Sequence, residues 1–477
     1  MLNQVIKTCV NSQLLTSKGS LLTAPLGGAA NLLQQKRFTR SWKKRAKKKL
    51  DANKIRESVI VEYAGDSSKQ ANQVFCWGHA ITGALGIQSF VKPPRKSKLK
   101  PMPCWHHPYR MIFWEAYKIQ VQTVGCGYGF TVFSCKTPRG QAVYGCGINT
   151  DSQLGYQEFP RKSGRILDYV IEPCPILLPF NDADKTKVTK ISCGRAHTVL
   201  LTDNEGVFAF GNNSYGQCGR SIHEHEKYRG SAVIQQLEIV DNVIDVVCGQ
   251  DHTLVLTETG HVYSCGFGGD GQTGVGNYNN TSRPTRIRGD IDGERIVQIT
   301  SKADTVYAVS DKGDLFGWGN SEYHQLLSAG GDSMQIHTPK HIPLSSEIGK
   351  VKMAASGGTI CAVLNDIGRV FVWGYGILGK GPAFEQSLKP SALPEPLFGK
   401  SEMYRDRTVT GIYCGLTHFA AINNNNDLYV WGRNKHGSLG LGNMDDQFFP
   451  FKVSIPGLVQ SVHCGVDHMF ALCKTLV

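Results

Sequence analysis

Residues 248–271 read CGQDHTLVLTETGHVYSCGFGGDG, and the tail of this stretch places Gly266, Gly268 and Gly271 in the order G-x-G-x-x-G. Standing alone, that spacing is the fingerprint of a dinucleotide-phosphate loop. It does not stand alone. Residues 193–219 read CGRAHTVLLTDNEGVFAFGNNSYGQCG and residues 414–440 read CGLTHFAAINNNNDLYVWGRNKHGSLG. Gly374, Gly376 and Gly379 form a second G-x-G-x-x-G at the same phase of another copy. A feature that returns once per repeat is set by the geometry of the repeat, so these glycines are read as turns.

Aligned on one glycine, the copies fall at Gly78, Gly147, Gly211, Gly266, Gly319, Gly374 and Gly432, with steps of 69, 64, 55, 53, 55 and 58 residues. Each glycine closes a short apolar run: VFCWG, VYGCG, VFAFG, VYSCG, LFGWG, VFVWG and LYVWG. Runs this apolar suit strands buried on both faces. Upstream lies a second strand, such as HTVLL from His197 or HTLVL from His252, joined by a tight turn such as NEG at Asn204 or DKG at Asp311. That is a β-hairpin signature. Further upstream come VTKISCG, VIDVVCG, VTGIYCG and VQSVHCG. Downstream, a glycine-rich turn leads to a segment holding Pro173, Pro284, Pro339, Pro390 or Pro450. Proline cannot donate to a ladder, so this fourth strand is expected at the sheet edge.

One such sheet cannot bury its two apolar faces, whereas a radial stack can. The predicted fold is therefore all-β, a seven-bladed β-propeller of four-stranded antiparallel blades. The first unit begins at NQVFCWG and lacks two strands, and the chain ends with VQSVHCGVDHMFALC, two strands without partners. Pairing of these N- and C-terminal strands in one blade closes the ring and removes its open edge. The recurring CG-x-x-HT…G-x-V-x-x-WG-x-N…GQLG pattern resembles the regulator-of-chromosome-condensation repeat family over residues 72–477. Two units depart from it, the fifth with TSKADT and the sixth with ASGGTI in place of CG-x-x-HT.

The formal charge of +13 is concentrated at one end. Residues 1–50 carry eleven Lys and Arg and no Asp or Glu, which leaves +2 for the other residues. An acid-free, Ser- and Thr-containing leader with scattered basic residues reads as a mitochondrial transit peptide over residues 1–40, followed by a basic linker over 41–71. The expected location is mitochondrial, in the matrix or associated with the inner membrane. No run of about 18 apolar residues appears, so no membrane span is expected. The fifteen cysteines include no C-x-x-C. Cys126, Cys193, Cys248, Cys414 and Cys464 share one phase of the repeat and read as small buried strand residues.

The repeat histidines His197, His252, His418 and His468 fall on different blades, so they read as structural groups bonding a neighbouring blade, and no metal is expected. GYGILGKG, residues 374–381, approaches a phosphate loop, but Gly381 replaces the Ser or Thr and no helix follows to supply its N-terminus. No cofactor and no acid–base constellation is expected, so the chain reads as a binding body without covalent chemistry.

Partner-binding features are sought in the irregular parts. The basic tract holds Lys43, Lys44, Arg45, Lys47, Lys48 and Lys49. An insertion at 88–118 holds Lys92, Arg95, Lys96, Lys98, Lys100 and Arg110 beside Trp105, Tyr109 and Trp114. Basic residues interleaved with aromatics suit single-stranded RNA, through phosphate attraction and base stacking. The family resemblance, in its mitochondrial branch, implies a scaffold in mitochondrial ribosome biogenesis that holds ribosomal RNA and assembly factors. The wider family implies the alternative, guanine-nucleotide exchange on a mitochondrial GTPase such as the dynamin-like fusion GTPase. The family's wedge motif is not found in the sequence, so no exchange residue is carried over.

Overall fold

The computed structural model describes residues 70–88, 101–160, 162–331 and 333–476. These form seven four-stranded antiparallel sheets. From inner to outer strand, blade 1 runs Leu458–Cys464, His468–Leu476, Gln70–His79 and Cys104–Arg110. Blade 2 spans Gln120–Cys126 to Tyr169–Ile176, blade 3 Val188–Cys193 to Ile234–Gln236, and blade 4 Val243–Cys248 to Thr281–Arg286. Blades 5, 6 and 7 run from Ile296–Ser301 to Gln335–Ile342, from Val351–Ser356 to Gln386–Ala392, and from Val409–Cys414 to Gln447–Lys452. Each inner strand touches the inner strand of the next blade, and the series returns from blade 1 to blade 2, so the ring is closed.

Closure rests on the pairing expected from sequence. Gln70–His79 and His468–Leu476 run antiparallel in continuous register from Gln70 opposite Leu476 to Gly78 opposite His468. The ring has no single core. Seven apolar clusters fill the seams between successive blades, ending with the seam of blades 7 and 1, where Trp77 packs with Val430, Val462 and Met469. Pro108, Pro173, Pro284, Pro339, Pro390 and Pro450 all lie in outer strands, where a missing N–H breaks no ladder.

Residues 104–110, read from sequence as part of an insertion, are the outer strand of blade 1, with Phe75 opposite Arg110 and His79 opposite Cys104. Without this strand, Gln70–His79 would present an unpaired edge. The short helix that follows, Ile112–Ala116, buries Trp114 against Phe133 and Tyr144, with ring centroids 4.8 and 5.8 Å away. Blades 1, 5, 6 and 7 end their third strand with Trp77, Trp318, Trp373 and Trp431, whereas blade 2 has only Cys146 there. Trp114 fills the space left by that smaller residue in the seam of blades 1 and 2.

The repeat glycine has a specific cause. Gly266 has φ +118°, and a Cβ placed on it would lie 2.5 Å from the Asp251 carbonyl oxygen and 2.6 Å from His252 Cα. The third strand must pass this close to the bend that opens the second strand, and only glycine permits both the conformation and the approach.

Candidate functional site at the hub

The bends between first and second strands meet at one mouth of the ring. Backbone bonds run between the bends of successive blades: Tyr128 donates to the Gly194 carbonyl (3.4 Å), Arg195 to that of Gln250 (2.8 Å), Gln250 to that of Ala303 (3.3 Å) and Gly358 to that of Leu416 (2.8 Å). Within a bend that carries the histidine, the histidine requires the glycine. A Cβ on Gly249 would lie 2.0 Å from His252 Cε1, and one on Gly194 or Gly415 would lie 2.2 Å from His197 or His418. Blade 5 abandons both residues together. Lys302 takes the glycine position and Thr305 the histidine position, and the smaller threonine makes room for the lysine Cβ.

This exchange places a cation at the hub. Lys302 Nζ donates to the Cys126 carbonyl at 2.8 Å, joining blade 5 to blade 2. Tyr128 of blade 2 returns the contact, with its hydroxyl 3.4 Å from both the Lys302 carbonyl and Gln250 Oε1. Beside them, Arg195 Nη2 lies 2.6 Å from the Asp251 carboxylate, whose side chain is 8 % exposed. Asp304 accepts from Gln272 Nε2 at 2.9 Å. Burial, reinforced by Asp270 and Asp251, pushes its carboxyl up to about 6. On the far side, His79 Nδ1 stands 2.9 Å from Asp467 Oδ2 and its ring stacks on His436 at 4.1 Å. Burial opposes the charge on Asp467, but hydrogen bonds from His468 and His79 outweigh it and hold the carboxyl well below the usual range. The five repeat cysteines ring the same mouth, and burial raises Cys248 and Cys464 to about 12.

The histidines tie blades together where the next blade offers a hydroxyl. His197 Nε2 lies 3.2 Å from Thr253 Oγ1, and His468 Nε2 lies 2.9 Å from Thr131 Oγ1. Thr253 in turn donates to the Gln217 carbonyl at 2.7 Å. The residues in the corresponding positions for His252 and His418 are Val306 and Met469, and neither nitrogen of either buried ring has a partner among the described residues. Val306→Thr is expected to supply the missing hydroxyl and stabilise the protein by about 1 kcal/mol. Urea midpoints of the two proteins check this, and a lower midpoint for the variant would count against the pairing.

Of the residues singled out from sequence, Lys43, Lys44, Arg45, Lys47, Lys48, Lys49, Lys92, Arg95, Lys96, Lys98 and Lys100 lie outside the described residues. Trp105, Tyr109 and Arg110 sit on the outer strand of blade 1. Trp105 and Tyr109 are half-buried against the seam of blades 1 and 2, with ring centroids 4.4 Å apart, and burial raises Tyr109 to about 12. Arg110 makes a two-pronged ion pair with Glu115, at 2.8 Å on each prong. The structure thus does not gather these three with the hub. Lys302 was missed from sequence. Its signal is the unit-five departure TSKADT, which the structure shows to be a paired substitution.

Residues 234–476 match the family described as RCC1-like domain, and residues 142–201 and 204–256 match the regulator of chromosome condensation (RCC1) repeat. The chain is 47 % identical over 432 residues to the human RCC1-like G exchanging factor-like protein, covering 88 % of this chain and 91 % of the relative. It superposes on the crystal structure of human WBSCR16 with a TM-score of 0.79 and 47 % identity, covering 85 % of this chain and all of that one. Prp20p from Saccharomyces cerevisiae shares the fold, with a TM-score of 0.66 at 19 % identity over 85 % of this chain and 92 % of that one. With its repeat, closed ring and sequence likeness in agreement, this chain belongs to the regulator of chromosome condensation repeat family.

Proposed function

We propose that this propeller is a non-catalytic regulator of a mitochondrial guanine-nucleotide-binding protein, and that it engages the partner through the hub. The observation that carries the reading is likeness over 91 % of a human relative whose name is G exchanging factor-like. The hub chemistry is compatible with it. An exchange factor needs no nucleotide pocket of its own; it must hold the nucleotide-free partner better than the loaded one. Lys302, Arg195 and Asp304 offer charges of both signs on a frame braced across the ring, so a partner loop meets groups that need little reordering.

The test is release of fluorescent GDP from candidate mitochondrial GTPases, including the dynamin-like fusion GTPase. The wild-type propeller is expected to accelerate release, and Lys302→Met is expected to reduce that acceleration about tenfold or more, while loss of its bond to the Cys126 carbonyl lowers stability by only about 1 kcal/mol and leaves the protein folded. Absence of acceleration by the wild type at micromolar concentration ends this reading.

A second reading is a scaffold for mitochondrial ribosomal RNA and ribosome assembly factors. The six Lys and Arg of residues 43–49 and the five of residues 92–100 favour it, because each phosphate contact adds salt-sensitive affinity. Ultraviolet crosslinking in matrix extract decides it: removal of the charge from Lys43–Lys49 and Lys92–Lys100 must weaken the crosslink.

A further inference from the structure

Third and outer strands are joined on the same end of the ring as the hub bends, and the first turn of six of the seven connections has one length. From the repeat glycine to the left-handed residue that ends the turn they run Gly78 to Gly86, Gly147 to Gly155, Gly211 to Gly219, Gly266 to Gly274, Gly319 to Leu327 and Gly432 to Gly440, eight steps each. Blade 6 runs from Gly374 to Gly379, five steps. Three residues are missing from its rim.

The other blades reveal what those residues do. The residue two before the end of the turn presents its carbonyl to the tryptophan of the following blade. Trp318 Nε1 donates to Gln272 at 3.0 Å, Trp373 Nε1 to Gln325 at 2.7 Å and Trp77 Nε1 to Ser438 at 2.8 Å. Trp431 follows the shortened turn. It is fully buried, a Cβ on Gly379 would lie 2.9 Å from its Nε1, and Gly274 and Gly440 bear the same relation to Trp318 and Trp77. Yet Trp431 Nε1 has no acceptor among the described residues. An indole N–H buried without a partner is costly, because it has given up its water and gained nothing in return. The donor position is preserved while its acceptor is gone.

The rim above it is aromatic. Tyr375, 42 % exposed, stacks on Tyr323 of blade 5 at 5.3 Å, and Ile377 is half-buried between this pair and Gly379 in sequence. Glycines 374, 376, 379 and 381 all have positive φ, so the cover over Trp431 is a glycine-rich segment held by the buried Leu378 and by Lys380, whose ammonium bonds Ser391 Oγ.

We propose that the shortened turn of blade 6 is a docking notch for an extended loop of the guanine-nucleotide-binding partner, which displaces the glycine-rich cover of Trp431 and sets its own main-chain carbonyl where Gln272, Gln325 or Ser438 stand in other blades. The inference rests on the regulator reading above. A peptide is the occupant because the internal repeats show a peptide carbonyl meeting this donor three times. The Tyr323–Tyr375 stack supplies a flat wall for an apolar side chain of the same loop.

Filling the notch tests the idea. Residues 374–379 are replaced by the nine-residue turn of residues 266–274, and Tyr375→Ala is made separately in the native turn. Partner binding by calorimetry, fluorescent GDP release and thermal midpoint are measured for the three proteins. The filled protein is expected to melt at or above the wild-type midpoint and to bind the GTPase about tenfold or more weakly. Tyr375→Ala is expected to weaken binding with the midpoint unchanged. If the wild type binds and both variants bind equally well, the notch is overturned while the regulator reading stands. If the wild type itself neither binds nor accelerates release, the regulator reading falls and the notch falls with it. Loss of RNA crosslinking with GTPase binding intact would also overturn the notch as a peptide site. Should the filled protein not fold, Tyr375→Ala alone decides: binding equal to wild type overturns the proposal.

Discussion

Removal of residues 458–477 is expected to abolish the folded ring, yielding chain that is insoluble or unfolded. The segment supplies the two inner strands of blade 1, and Gln70–His79 has its longest pairing with the second of them. It also buries Val459, Val462, Met469, Phe470, Ala471 and Cys473 in the seams on either side of the blade. At about 1.5–3 kcal/mol for each large apolar side chain, the loss is on the order of 10 kcal/mol. That is comparable to the whole stability of a typical folded domain. The truncation would also leave the inner faces of blades 7 and 2 open to water, together with a newly bared sheet edge on Gln70–His79. Circular dichroism and limited proteolysis of the truncated chain check this. A soluble product with a cooperative unfolding transition and a native strand signal would show that the ring does not depend on its seam.

The same seam shows how far sequence reading reached. Seven copies of one glycine-ended strand made the blade count visible, and unmatched strands at the two ends of the repeat array implied a shared blade. The outer strand of blade 1 was not visible, since Cys104–Arg110 follows a long basic stretch and lacks the phase marks of the other outer strands. Its proline, Pro108, is the one cue, and it is shared with surface arms. The candidate site was harder to read. Lys302 is conspicuous only once the backbone shows that a side chain at Gly249 would strike His252, so that the glycine cannot be lost while the histidine stays. The shortened turn of blade 6 was seen as a near match to a phosphate loop. Its meaning came from Trp431, whose missing acceptor is defined by three other blades. Periodic features are legible because repetition averages out noise. The departures from the period carry the individual chemistry, and they need coordinates.

Acid is expected to destabilise this protein well before its carboxylates titrate in the usual range. His197 and His252 are fully buried, and burial lowers both to about 3; His418, also fully buried, is lowered to about 4 by burial and then by Lys302. His463, half-buried, is lowered to about 4 by burial and then by Lys190. In the unfolded chain each imidazole takes a proton near pH 6.5. Between about pH 6 and 4 the unfolded state therefore binds more protons at these four positions, and stability falls as pH falls. Four carboxyls act with the opposite sign. Asp304 is raised to about 6, and Glu172, Asp245 and Asp251 are also raised, in each case chiefly by burial, so the folded state binds protons there first. The net difference is one to two protons, or about 2 kcal/mol per pH unit. Over the two units from pH 6 to 4 the loss is about 4 kcal/mol, a large share of the 5–15 kcal/mol of a typical domain. Urea midpoints measured from pH 7.5 to 4.5 should be flat above pH 7 and fall progressively below pH 6. His252→Gln removes one depressed imidazole and should flatten that fall by up to about 1.4 kcal/mol per unit. A midpoint independent of pH across this range would mean that these rings are not held neutral, and the tight glycine–histidine bends that form the hub would then need another explanation.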